Sequence, residues 1–149
     1  MSSLEGNDIT IFLSNLEAQS IPMKPCNDDE ISILKNLSPT KELPLTYLEF
    51  MYKAGNGAEF LAGTDYSMKY ILELKEWAVE LLGENNYSEK LTDNQFVFMM
   101  HQGYMFWYFN LDEGDDPPVF LYDESLDISE FKKVSDTFSK FLISMYDWY

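Results

Sequence analysis

His101 is the one imidazole and Cys26 the one thiol in this chain of 149 residues, so they are the first candidates for proton transfer or nucleophilic attack. His101 sits in an aromatic run, and no spacing supplies the acidic partner that a catalytic base needs, so it reads as a structural histidine. Cys26 lies among turn residues with no neighbouring cation to lower its pKa, and being alone it forms no internal disulfide. Asp112, Asp116 and Asp123 suggest a calcium loop. That pattern needs a glycine at its sixth position and a glutamate at its twelfth, where Pro117 and Asp123 stand. There is no Gly-rich phosphate loop, no serine nucleophile elbow and no Cys/His ligand set. All ten basic residues are lysines, and the absence of arginine weighs against a phosphate-handling enzyme. The expectation is a protein with no catalytic set, no metal and no cofactor, which acts by recognition.

The stretch that must organise such a protein is QFVFMMHQGYMFWYFNLDEGDDPPVFLY, Gln95 to Tyr122. Two runs rich in β-favouring aromatics, Phe96–Met100 and Tyr104–Leu111, flank Gln102-Gly103, which predicts a hairpin with Gly103 supplying a positive φ. With Gln102 and Gly103 as the loop, His101 faces Tyr104, Met99 faces Phe106 and Phe98 faces Trp107. Alternation then gives an apolar face of Phe96, Phe98, Met100, Met105, Trp107 and Phe109. The opposite face carries Val97, Met99, His101, Tyr104, Phe106, Tyr108 and Asn110, and is either half-covered or a contact surface.

Length and composition bound the rest. The chain fits one domain, 1–149, with a single core. A hydrophobic content of 46% argues for a folded globule, although the net charge is −16. No apolar run approaches a membrane span, and MSSLEGNDIT lacks the regions of a signal peptide, so the expected location is the cytoplasm. An acidic surface repels nucleic acid and anionic lipid and attracts basic partners; it also keeps an aromatic-rich protein soluble.

In chain order, Ile9, Phe12, Leu13 and Leu16 have helical spacing behind Asp8 as a cap, and Ser20–Pro25 is a connector. Asn27 caps a second helix with Ile31, Leu34 and Leu37 as its buried stripe. A third begins at Pro44, with Leu45, Leu48, Phe50-Met51 and Tyr52 as its apolar face and Gly55 as a left-handed C-cap. Glu59–Ala62 reads as a short strand and Met68–Leu82 as a fourth helix stopped by Gly83. After the acidic turn DEGDDPP, Val119–Tyr122 returns as a third strand, because the prolines cannot pair. A loop over 123–130, an edge strand at Phe131–Val134 and a last helix capped by Ser135 complete the chain. The fold class is α+β: an antiparallel sheet, the hairpin 96–111 plus strand 119–122, packed on N-terminal, middle and C-terminal helices.

Two blocks resemble the SUKH superfamily, which takes in fungal cell-wall-assembly regulators and many bacterial immunity proteins. One runs from Asp28-Asp29-Glu30-Ile31 through Leu43-Pro44-Leu45-Thr46-Tyr47 to Gly55-Asn56-Gly57. The other comprises Phe96-Val97-Phe98, His101-Gln102-Gly103-Tyr104, Pro117-Pro118-Val119 and Thr137-Phe138-Ser139-Lys140-Phe141-Leu142. The resemblance implies an α+β domain and, for bacterial members, neutralisation of a toxin, often a nuclease, by stoichiometric binding. A regulatory or scaffold domain with no toxin partner is the alternative. The family's partner-contacting residues vary, so no binding position transfers.

The local reading places a basic protein partner on the acidic turn and the mixed hairpin face. Asp112, Glu113, Asp115 and Asp116 cluster beside prolines that stiffen the turn, and Glu124 follows the return strand. Tyr104 and Tyr108 are residue types that anchor interfaces.

Overall fold

The computed structural model describes residues 3–126 and 130–147, with side chains from Ile9 onward. Five helices are α1 (Ser3–Ala18), α2 (Asp28–Asn36), α3 (Leu45–Ala54), α4 (Ile71–Glu84) and α5 (Phe138–Asp147). Seven strands are β1 (Met23–Lys24), β2 (Gly57–Ala58), β3 (Thr64–Asp65), β4 (Gln95–His101), β5 (Met105–Asn110), β6 (Val119–Asp123) and β7 (Lys132–Ser135). β1 and β2 pair as a small clasp, and β3 to β7 form one antiparallel sheet in sequence order. The architecture is α+β, with the hairpin β4–β5 at the sheet's centre.

The hairpin closes where expected. Gln102 and Gly103 both have positive φ, 49° and 77°, and the Tyr104 N–H donates to the His101 carbonyl at 3.2 Å. Its register departs from the expected one. At the base Val97 faces Tyr108 and Phe96 faces Phe109, but an irregularity between Val97 and Met99 sets Met99 opposite Trp107 and His101 opposite Met105. One extra residue on β4 exchanges the faces of the β4 residues between it and the tip. Met99 and His101 therefore lie on the Trp107 side, and Met100 lies with Phe106.

Both faces are covered. On one, Phe96 and Phe98 stack on Phe109, and Tyr47 of α3 with Phe138 and Phe141 of α5 close over them edge-on. On the other, Phe131 and Tyr87 close over Phe106, Tyr108 and Tyr122. Trp107, which packs on Phe141, is 8% exposed.

Local rules explain most element ends. Asn27 and Glu30 form a reciprocal capping box at α2: the Asn27 side chain accepts from the Glu30 N–H, and Glu30 accepts from the Asn27 N–H. Other ends differ from expectation. α1 starts at Ser3, so Asp8 lies inside it. Part of the expected connector is β1, and Glu59–Leu61 is a single 3₁₀ turn, the sheet's edge being supplied by Thr64–Asp65. The expected loop over 123–130 falls partly outside the described residues, at 127–129.

Helix faces and caps are corrected too. Leu37 is exposed, and α3 buries Thr46, Tyr47, Phe50, Met51 and Ala54 while Leu45 and Tyr52 face out. Gly83 does not stop α4, which continues to Glu84 until Asn86 takes the left-handed conformation. Gly55 is right-handed, with φ −66°. It is required for space: a Cβ there would meet Cys26 Sγ at 2.2 Å and the Met51 carbonyl at 2.5 Å.

Candidate functional site

The acidic turn between β5 and β6 is built into the fold from its C-terminal half. The Asp115 carbonyl accepts from the Thr46 N–H (3.1 Å) and hydroxyl (2.9 Å), and its carboxylate accepts from the Leu45 N–H (3.3 Å). Asp116 Oδ1 accepts from Thr46 Oγ1 at 3.2 Å and from the Ser139 N–H at 2.9 Å. The two aspartates thus satisfy orphan N–H groups at the starts of both α3 and α5, where negative charge is also favoured by the helix dipole. α5 is capped further by Thr137, whose hydroxyl accepts from the Lys140 N–H, and not by Ser135, the last residue of β7. Pro44, at the start of α3, has no side chain to accept those hydrogen bonds, so the turn supplies them.

Asp112, Glu113 and Asp115 are all exposed, and the first two are held by Asn94 (2.8 Å to Asp112) and Asn110 (to Glu113). Glu124 lies elsewhere. β6 runs antiparallel to β5, which carries Glu124 to the hairpin tip, where its N–H donates to the Tyr104 carbonyl at 3.0 Å. Its carboxylate accepts from Asn85 at 2.9 Å. The tip and the acidic turn are separated by the length of β5, roughly 20 Å for a six-residue strand.

Tyr108 lies between these ends and is buried, stacked on Phe120 and edge-on to Phe131, its hydroxyl 3.4 Å from Gln95 Nε2. Burial and the nearby Glu89 raise its pKa, so it stays a neutral phenol. The seven residues read from sequence therefore occupy three places: the turn (Asp112, Glu113, Asp115, Asp116), the tip (Tyr104, Glu124) and the core (Tyr108). They form no single patch.

The remaining chemical groups are quiet. His101 is half-buried, with Nδ1 3.2 Å from the Gly63 carbonyl and its ring edge-on to Tyr104. A carbonyl partner fixes the proton on Nδ1. Beside it a cleft of about 960 Å³ opens between Phe60, Tyr104, Trp107 and Met145. Cys26 is buried against Gly55, and burial with the Glu30 charge pushes its thiol up to about 11, so at neutral pH it is protonated and a poor nucleophile. Among the described residues no three His, Cys, Asp or Glu side chains converge as a metal site would require.

The sequence reading missed the structural role of Asp115 and Asp116, because Thr46 and Ser139, the groups they hold, lie far away in the chain. It also missed Asn85 and Asn94, the amides that hold Glu124 and Asp112.

An antiparallel meander with its central hairpin enclosed by helices and loops, on a surface with a large acidic excess, defines the class of domain. The SUKH_6 family model, described as SMI1-KNR4 cell-wall, matches residues 28–142, and the chain belongs to this family. No curated protein gives a match.

Proposed function

We propose that this protein is a bacterial cytoplasmic immunity protein that binds a basic toxin domain, of nuclease type, in a stoichiometric complex and occludes its active site. The observation that carries this reading is uncompensated charge. The sequence holds 26 acidic residues against ten lysines, a net charge of −16 that the lysines cannot offset, and two ion pairs join described side chains, Lys53–Glu17 and Lys133–Asp136. A nuclease holds phosphates with cations, so an acidic inhibitor complements the same surface. No cofactor, metal or turnover enters this reading.

The family's cell-wall description supports a second reading, a regulatory or scaffold domain of the cell-wall-assembly type with no toxin partner. Co-expression with the product of the adjacent reading frame separates the two. An equimolar complex that weakens with salt and suppresses nuclease activity supports immunity; a neighbour that neither binds nor is toxic removes it. Among the described residues no helix is long and apolar enough to cross a membrane.

A further inference from the structure

α4 carries two parallel rows on its outer side. Leu72, Val79 and Gly83 stand at i, i+7 and i+11, which places them along one line of the helix. Leu72 is 58% exposed and Val79 51% exposed, so this apolar line faces solvent. Glu73, Glu76, Glu80 and Glu84 repeat the same spacing beside it. All four are exposed, and none is ion-paired to a described residue. The helix has one cation, Lys75, and it is turned away: its ammonium donates to the Thr92 and Gln95 carbonyls. Lys69, just before the helix, lies over the Tyr70 ring, and Lys90 stands on the far rim of the adjoining groove. That groove, about 530 Å³, runs between Val79 and Gly83 of α4 and the loop at Tyr87 and Leu91.

Gly83 is the informative residue. Glycine weakens a helix relative to alanine, and its usual justifications are a positive φ or a crowded Cβ position. Neither applies: Gly83 is absent from the positive-φ residues, and a Cβ there would meet nothing within 4 Å. The packing of this molecule does not require the missing side chain, whereas a second backbone crossing α4 at that point would.

We propose that the outer face of α4, the Leu72–Val79–Gly83 line with the groove behind it, docks a cationic amphipathic helix of a protein partner. Leucine-type side chains of that helix would cover Leu72 and Val79, its backbone would approach at Gly83, and its lysines or arginines would face the glutamate row. This deepens the reading of an acidic inhibitor by naming its contact surface.

The test uses the full chain and two peptides of about 18 residues, long enough to lie along α4. One is an amphipathic lysine–leucine helix, and the other has the same composition in scrambled order. Hydrogen exchange should show protection by the first peptide confined to α4 and 86–91, and binding should weaken with salt. Leu72→Ser with Val79→Ser should weaken it about tenfold or more. Gly83→Gln should raise Tm slightly while also weakening binding, a combination that a purely structural glycine would not give. Protection on another face, equal binding of both peptides, or unchanged affinity in both folded variants would overturn the proposal.

The product of the adjacent reading frame provides the second arm. If it co-purifies and the Leu72→Ser/Val79→Ser protein retains it undiminished, the surface is wrong while the immunity reading stands. If it does not bind but the amphipathic peptide binds at α4 as described, the surface stands and the immunity reading fails.

Discussion

Cys26 Sγ fills the space in which a side chain on residue 55 would begin, 2.2 Å from an ideal Cβ on Gly55. The Cys26 N–H and the Gly55 N–H both donate to the Met51 carbonyl, at 3.2 and 2.8 Å, so the two segments are fastened on one acceptor. Gly55→Ala should destabilise the protein by about 3 kcal/mol, at the upper end for overpacking. Cys26→Ala in the same chain should recover only part of this, because the Met51 carbonyl is backbone and 2.5 Å from the same Cβ. Denaturant unfolding of the two variants measures both effects, and full recovery would show that the thiol alone is the obstacle.

The same thiol sets a pH dependence. Its pKa is raised in the folded state, to about 11 from an ordinary 9.0, by burial and then by Glu30. Above the unfolded value only the unfolded chain releases the proton, so the stabilisation is complete below about pH 9 and is lost as pH rises towards 11. Cys26→Ala should flatten the fall in stability between those values by at most about 2 kcal/mol. The buried phenols of Tyr47, Tyr66 and Tyr108, also raised by burial, leave a steeper decline above it in both proteins. Equal slopes in urea unfolding across that window would contradict the assignment.

Asp116→Ala should cost about 1–2 kcal/mol, since it leaves the Ser139 N–H without its side-chain acceptor, while the Thr46 hydroxyl keeps the Asp115 carbonyl. Asp112→Ala, at an exposed position outside these caps, should stay within about 0.5 kcal/mol. Thermal unfolding of the pair tests the distinction. A partner-binding assay that reverses the charge of Asp115 and Asp116 would report on folding before it reported on an interface.

Trp107→Ala should cost about 3–5 kcal/mol, because the ring is buried against Phe141. Tyr104→Ala, at the half-buried tip, should cost less. If Tyr104→Ala proves the more damaging in chemical denaturation, the assignment of these residues to core and rim is wrong.

Millimolar calcium should leave Tm unchanged, because Asp115 and Asp116 are engaged with α3 and α5 and do not converge with Asp112 on a common point. A calcium-dependent rise that disappears in Asp112→Asn would establish a site at the turn.

What could be read from the sequence was what neighbouring residues decide. The Asn27 cap and the Gln102-Gly103 turn are local, and both stand where their residue types put them. The register of Met99 to His101, next to the turn, was not legible, since nothing in FVFMM marks which residue is the extra one on β4. Tyr108 was read as a surface anchor because the rings that cover it, Phe131 and Phe120, come from later strands and their flanks. The contacts of Asp115 and Asp116 with α3 and α5 were hidden for the same reason: Thr46 and Ser139, the donors, are distant in the chain, and Asp115 makes its contacts while still exposed. For the proposed docking surface, the α4 rows lie in the spacing of the sequence, but the reading of that helix followed only its buried stripe. Their exposure, and the empty volume above Gly83, required the packed structure.

The Asp116 contacts also have a kinetic consequence. They join Asp116 to Thr46, 70 positions away, and to Ser139, 23 positions away, through the turn that connects β5 and β6. Closing those loops carries entropy cost before the hydrogen bonds return anything, so the lock is expected to form late in folding. Loss of this carboxylate would then leave the refolding rate nearly unchanged and accelerate unfolding. On that expectation the aspartate is a latch on the finished molecule, added to the Tyr47, Phe50 and Phe138 rings through which α3 and α5 already touch.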